Sequence, residues 1–322
     1  MKFRTEIEPF KPKGRLEYST NIFTIGSCFA QNIAVRLTAD KFRVTQSPLG
    51  ILFNPASIAD ALSAFESLRE ADSGRLVHRS NGWVTLDCHS DLAQPSPQAA
   101  LEAYRYAVEV GHKALSDAQC VIITLGTAFV YEHIATGKVV ANCHKQPQSE
   151  FIRRRMDVEE IVRLFTPLLR GILSKKYVIF TLSPIRHVAD GLAENSMSKA
   201  TLRVAIGRLC EQFYNVDYFP AYEIVNDDLR DYRFYADDLV HPSSQAVEYI
   251  YERFAEALFT EPTKVLLPKV RRVVAAAAHR PSNPDSDEYR AFCSNYLQQA
   301  AALTMVDFSR ECALFEQYSN KS

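Results

Sequence analysis

The chain has 322 residues, 47% of them hydrophobic and 23% charged, with a formal net charge of -1. That length suits one large domain of roughly 250 residues with an appendage, or two domains, and so balanced a charge argues against nucleic acid or an anionic membrane as the main partner. The N-terminus lacks the apolar core of a secretory signal, and no run of about twenty apolar residues offers a membrane span.

Residues 1–20 read as an extended arm rich in Pro and Lys. A strand over Ile22–Ile25 then turns, through Gly26-Ser27-Cys28, into a helix with Ile33, Val35 and Leu37 among its apolar positions. Arg43–Gln46 reads as a second strand, closed by the loop SPLGILFNP, and Ser57–Leu68 as a helix whose Ile58, Leu62 and Phe65 recur at helical spacing. RLVHRSNGWVTLD has hairpin character around Asn81-Gly82, and Pro97–Leu115 is helical with Pro97 in the first turn. CVIITLG, residues 120–126, is continuously apolar, as a parallel strand covered on both faces should be. FVYEHIATGKVVANCH reads as a hairpin turning at Thr136-Gly137, and the basic run Arg153–Arg155 as a solvated helix face rather than a binding patch. Val158–Leu173 is a helix, YVIFTLSPIRH a second buried strand, Ser198–Tyr214 a helix and VDYFPAYEIV a third strand. DLRDYRFYADDLVHPS is a charged, aromatic loop before the helix Ser243–Phe259. From Lys264 onward two helical stretches flank RPSNPDSD, and no internal repeat is present.

Strands alternating with helices predict an α/β fold with a mainly parallel sheet, and ligands bind such sheets beyond the carboxyl ends of the strands. That rule gathers Ser27, Gly126-Thr127, Ser183–His187 and Asp238–His241 on one rim, although they are far apart in sequence. A serine nucleophile needs a base and a group to orient that base. Ser27 stands where helix amides are unpaired, and Asp238 precedes His241 by three residues, close enough to hold one ring nitrogen; Asp237 competes for that role. Cys28 offers a rival thiol nucleophile, its pKa expected low beside a helix N-terminus. The alternative for Cys28 is a small buried packing residue.

Seven irregularly spaced cysteines without a CxxC pair read as reduced thiols of a cytoplasmic protein. No metal and no cofactor is expected; at Cys143-His144 a buried, hydrogen-bonded pair is preferred to a metal site. His187 at the rim reads either as substrate contact or second acid-base group, or as a loop histidine bonded to a carbonyl. His144 and Lys145 are candidates for phosphate or sugar-hydroxyl contacts, with Arg186, Asn195 and Lys199 beside them, Lys199 also reading as a solvated helix residue. Tyr232 and Phe234 read as packing that holds the Asp238 loop.

GSCFAQNI at residues 26–33, followed in order by PLGILFNP, TLGTAFVY, NCHKQP, SPIRH, ENSMSKA, YFPAYEI, LRDYRFY and DLVHPS, resembles the GSCFA-domain family across most of residues 20–260. That family is grouped with the SGNH hydrolases. The resemblance implies a flavodoxin-like α/β/α three-layer sandwich over residues 21–262, preceded by the 1–20 arm and followed by a helical extension over 263–322. It implies a serine-dependent ester hydrolase or O-acyltransferase acting on a carbohydrate or polysaccharide ester. By the same resemblance Ser27 is the nucleophile, His241 the base and Asp238 its orienter, with oxyanion donors in the Ser27 and Gly50 amides. The family group's usual third-block Asn is Ala128 here, leaving Thr127 as the nearby polar side chain and Asn142 as the substitute donor. The first block differs too, with Gly26 where an Asp precedes the nucleophile and Cys28 after it. Two other readings stand beside this one: a non-catalytic glycan- or ligand-binding protein on a hydrolase-like fold, and a Cys28-dependent acyl enzyme. The helices after Lys264 are open between a lid, a homo-oligomer contact and a partner-binding piece.

Overall fold

A computed structural model describes residues 4–8, 10–80 and 82–319 of the chain. Its centre is a five-stranded parallel sheet in the order β2-β1-β5-β9-β10. The strands are β1 (Asn21–Gly26), β2 (Arg43–Gln46), β5 (Cys120–Leu125), β9 (Tyr177–Leu182) and β10 (Val216–Phe219). With the strands counted along the chain this is the flavodoxin-type order, the expected three-layer α/β sandwich. In β5 all six residues are buried, which explains its unbroken apolar run.

Helices cover both faces. Against one face pack α2 (Pro55–Ser67), α3 (Pro97–Asp117), α4 (Val158–Arg170) and α5 (Leu192–Gln212), in a core holding Phe23, Phe65, Phe165 and Phe180. Against the other pack α1 (Cys28–Ala39) and α7 (Ser244–Leu258), joined by α8 (Glu261–Ala278), α9 (Asp287–Ala301) and α10 (Ser309–Ser319). A one-turn helix, α6 (Ala221–Glu223), follows β10 and runs into a π-helical turn over Ile224–Leu229. The C-terminal helices share the second core: Val270, Val273, Cys293 and Phe315 are buried with Phe29, Ile33 and Phe254. The N-terminal arm is tied to the same side, Leu16 bridging in parallel to Phe259 and Lys13 donating its amide to Asp217 at 2.6 Å.

Two small antiparallel sheets sit outside the main one. β3 (Leu76–Arg79) pairs with β4 (Gly82–Thr85), the expected hairpin, whose Asn81 lies outside the described residues. β6 (Phe129–His133) pairs with β7 (Lys138–Val139) across the Thr136-Gly137 turn and, on its other edge, with β8 (Phe151–Arg155).

Three expectations need correction. Arg153–Arg155 belongs to β8, not a helix: Arg154 is gripped by Glu132 and Glu160, and Arg155 pairs with Glu194. Helix α5 begins at Leu192 rather than Ser198, because Gly191 at φ +80 opens it with no side-chain cap to mark the start. Val35 is 53% exposed, since the buried stripe of α1 is Phe29, Ile33 and Leu37, and a residue two positions from Ile33 lies off that face.

Candidate functional site

β1 ends at Gly26, where a Cβ would strike the backbone oxygen of Thr124; glycine lets the two strand ends close together. Ser27 follows as the N-cap of α1, 2% exposed, its Oγ accepting from the Phe29 amide at 3.4 Å. The loop Pro48–Pro55 is stitched across this corner. Leu52 donates to Gly26, and Gly126 and Thr127 both donate to Phe53, at 2.8–3.1 Å. Asn54 caps α2 through Oδ1, which accepts from Ser57 N at 2.8 Å and so fixes its Nδ2 as the remaining, donating end.

Above the corner opens a cavity of about 700 Å³ at the carboxyl ends of the strands. Ser27, Cys28, Thr127, Asn142, Lys145, Arg186, His187 and His241 all line it. The rim rule therefore holds: side chains from four separate rim segments face one space. An added Cβ on Gly126 would meet Phe53 O at 3.0 Å, Ser27 Cβ at 3.3 Å and His187 Nε2 at 3.5 Å, so Ser27 and His187 crowd the same corner.

His241 sits at the end of a tight turn with Leu239 at φ +57. Asp238, not Asp237, holds it: Oδ2 accepts from His241 Nδ1 at 2.6 Å, while Oδ1 accepts the Val240 and His241 amides at 2.9 Å each. Those amides, then the imidazole, lower the Asp238 pKa to about 2, so it is a carboxylate at neutral pH. With Nδ1 as the donor, Nε2 is the bare, basic nitrogen. Among the described residues Ser27 Oγ and His241 share no hydrogen bond. His187, by contrast, is pushed down to about 4, chiefly by burial and then by the charge of Lys199, and no carboxylate is bonded to its ring. Its backbone N–H donates to Asn195 Oδ1 at 2.9 Å.

The helix carrying ENSMSKA supports the rim from below. Ser198 Oγ accepts from Ala128 N at 2.7 Å and meets Thr127 Oγ1 at 3.1 Å, so the Thr127 hydroxyl is spent on scaffolding. Lys199 is 2% exposed, not solvated: its Nζ donates to Gly126 O and Ser183 O, each at 2.7 Å. Burial lowers its pKa to about 7.

Several sequence expectations shift. The Ser27 amide donates to Thr124 O at 3.1 Å and the Gly50 amide to Ser47 O at 3.0 Å, so neither is free for an oxyanion. Gly50 also lies against His89, outside the cavity lining. Asn142 is in the lining, its Oδ1 accepting from His144 N at 2.8 Å and its Nδ2 left over. Unforeseen from the sequence are two further polar groups of lining residues: Nδ2 of Asn54, and the amide of Cys28, which belongs to the first turn of α1 and has no intrahelical acceptor. An Asn before Pro55 marks a helix start in sequence, but nothing there says that the residue also lines a cavity. His144 is buried and turned away: Nε2 donates to Thr85 O at 3.0 Å, which leaves Nδ1 to accept from Ser90 Oγ at 3.3 Å. It leaves Cys143 alone on the cavity side of that pair. The Cys28 thiol is raised, not lowered, because burial outweighs its own backbone amide. Tyr232 and Tyr235 stack on Arg186 at 5.2 and 4.1 Å. Also absent from the sequence reading is the apolar wall of Phe53, Phe129, Tyr131 and Phe151. Among the described residues no cluster of His, Cys, Asp and Glu is arranged to hold a metal ion, and no helix is long and apolar enough to cross a membrane.

No curated protein matches the chain. Among solved structures, the Clostridium thermocellum family 3 carbohydrate esterase is similar at 9% identity and a TM-score of 0.33, over 79% of this chain and 98% of that one. Residues 21–254 match the GSCFA family, and residues 270–321 match the GSCFA domain protein C-terminal domain. Those two matches begin with β1 and end past α10, covering all but a short stretch between, and on that ground the chain belongs to the GSCFA family.

Proposed function

We propose that the chain is a serine-dependent ester hydrolase or O-acyltransferase whose substrate is a carbohydrate or related acyl ester. The observation that carries this reading is the 2.6 Å Asp238–His241 pair standing over the same cavity that holds Ser27. In it, His241 Nε2 takes the Ser27 proton as Oγ attacks the acyl carbon, and Asp238 holds the imidazolium that results. The Cys28 amide, Asn54 Nδ2 and Asn142 Nδ2 receive the oxyanion. His241 then returns the proton to the leaving alkoxide, and water or a sugar hydroxyl releases the acyl group from Ser27 by the reverse path. The Ser27–His241 hydrogen bond forms in the substrate complex, as catalytic contacts in free enzymes often do.

4-Nitrophenyl acetate tests this directly. Ser27→Ala should lower nitrophenol release by roughly 10³-fold or more, and a fluorophosphonate adduct should map to Ser27 by intact-mass and peptide analysis. Unchanged turnover in the variant overturns the mechanism.

One observation favours a second reading, a ligand-binding protein without catalysis: Ser27 Oγ rests on Phe29 N as a helix cap instead of on His241. Wild-type protein inert to the fluorophosphonate would support it. The Cys28-dependent reading is disfavoured by the raised thiol, and would require activity lost in Cys28→Ser but kept in Ser27→Ala.

A further inference from the structure

The charge lining the cavity is lopsided. Lys145, Arg153 and Arg186 face it, against one carboxylate in the lining, Asp190. Asp190 is already paired with Arg153, whose guanidinium also stacks on Phe129 at 3.8 Å. Arg186 is held by neutral partners only, the rings of Tyr232 and Tyr235. Lys145 is exposed at the mouth, with no hydrogen bond or ion pair to any described residue. Two full positive charges therefore border this cavity without a counter-charge. In a partly enclosed space such charges act more strongly on a ligand than they would on open surface.

The segment that presents Lys145 is built, not slack. His144 and Lys145 are consecutive non-glycine residues at φ 49 and 61, a region such residues seldom occupy, still less in succession. The fold holds them there through Asn142 Oδ1 on the His144 amide and through both ring nitrogens of His144, on Thr85 and Ser90. The buried imidazole is thus an anchor, and what the anchor places at the mouth is a bare ammonium. In the same lining, Phe53, Phe129, Tyr131 and Phe151 supply apolar surface for the uncharged part of a ligand.

We propose that the site takes an anionic substrate, an ester bearing a carboxylate or phosphate that Lys145 and Arg186 receive while the ester carbonyl lies at Ser27. The position of the carbonyl rests on the Ser27 reading; the anion site does not.

The two are separated by experiment. In Ser27→Ala protein, calorimetry with glucose 1-phosphate, glucuronate and glucose compares phosphate, carboxylate and neutral sugar. At least one anion should bind about tenfold or more tightly than glucose, weaken with added salt, and lose about tenfold in Lys145→Gln and in Arg186→Gln. Lys145 is exposed, so its variant retains the fold. In wild type, kcat/KM for mono-4-nitrophenyl succinate against 4-nitrophenyl acetate then says which half of the ester carries the charge. A ratio near ten that collapses in Lys145→Gln places it on the acyl side; a ratio near one, with anion binding intact, places it on the alcohol side. Anion binding without turnover of either ester keeps the anion site and rejects Ser27 as nucleophile. Both anions binding no better than glucose, or binding equally well to both variants, overturns the proposal.

Discussion

The α1–α8 seam and the cavity rim use charge in opposite ways. At the seam, charge meets charge: Asp40 accepts from Arg271 Nε and a second guanidinium nitrogen at 2.8 Å each and from Tyr251 OH at 2.8 Å. One residue on, Lys41 meets both oxygens of Glu311 at 2.8 and 2.9 Å. These pairs cancel in place and pin α8 and α10 to the end of α1. At the rim, beside the Arg153–Asp190 pair, three basic side chains meet no carboxylate among the described residues: Lys199 has two backbone carbonyls, Arg186 two phenol rings, and Lys145 no hydrogen bond or ion pair. A charge neutralised by its partner has little field left to act on a ligand. A charge held by neutral dipoles keeps it. The seam is thus arranged for stability, and the rim keeps the field that the proposed binding and chemistry would use.

Two substitutions sharpen that contrast. Lys199→Met keeps the buried stem but unties Gly126 from Ser183, the ends of the loops that carry Thr127 and His187. We expect kcat to fall by about 10²-fold, as small misplacements at a site commonly do, with a stability change under about 1 kcal/mol because a costly buried charge also disappears. Full activity in Lys199→Met would remove the distinction. Arg271→Met should do the reverse. It leaves Asp40, 5% exposed, without its cation and should cost roughly 2 kcal/mol in urea unfolding, below the figure for a fully buried pair because Arg271 is 42% exposed. Ester turnover should be untouched. Equal stability of Arg271→Met and wild type would show the seam to be decorative.

The smallest effect concerns pH. Burial above all holds His144 at about 4, below the 6.5 it would have in an unfolded chain. Between those values the unfolded state binds the proton and the folded state does not, so stability falls as pH falls through that window and is flat above it. Its 1% exposure justifies the full slope of about 1.4 kcal/mol per pH unit. His144→Gln, though less stable at pH 7, should lose about 1 kcal/mol less per unit when unfolding free energies are compared from pH 6.5 to 5, where the unfolded histidine is still gaining its proton. Parallel slopes would place the acid sensitivity elsewhere.

What the sequence made legible follows from the range of the interactions involved. The unbroken apolar run of Cys120–Leu125, the Gly26-Ser27 corner and the three-residue step from Asp238 to His241 are local, and each is where the pattern puts it. The lysine at 199 was not, because Gly126 O and Ser183 O are backbone oxygens that any residue carries, one of them 73 positions away. The same blindness hid which amides are free. Whether an amide is free depends on which carbonyl lies opposite, and Thr124 O and Ser47 O had already taken two of them. FIRRR misled for a related reason: its arginines are satisfied by Glu132 across the strand pair and by Glu160 and Glu194 on following helices, so charge in that run signals neighbours rather than solvent.

The fit of Gly26 against Thr124 decides which partner does the moving. Ser27 is locked to the sheet by that close approach and by its own amide on Thr124 O, so its hydroxyl travels only as far as one side-chain torsion allows. His241, half exposed on a turn with a left-handed Leu239, is held by Asp238 and by its own carbonyl, which accepts from Ala236 N at 2.8 Å, with no sheet strand behind its ring. Under the proposed mechanism the imidazole and its carboxylate travel as one unit, on the Ala236–His241 turn, toward an oxygen that the sheet holds in place.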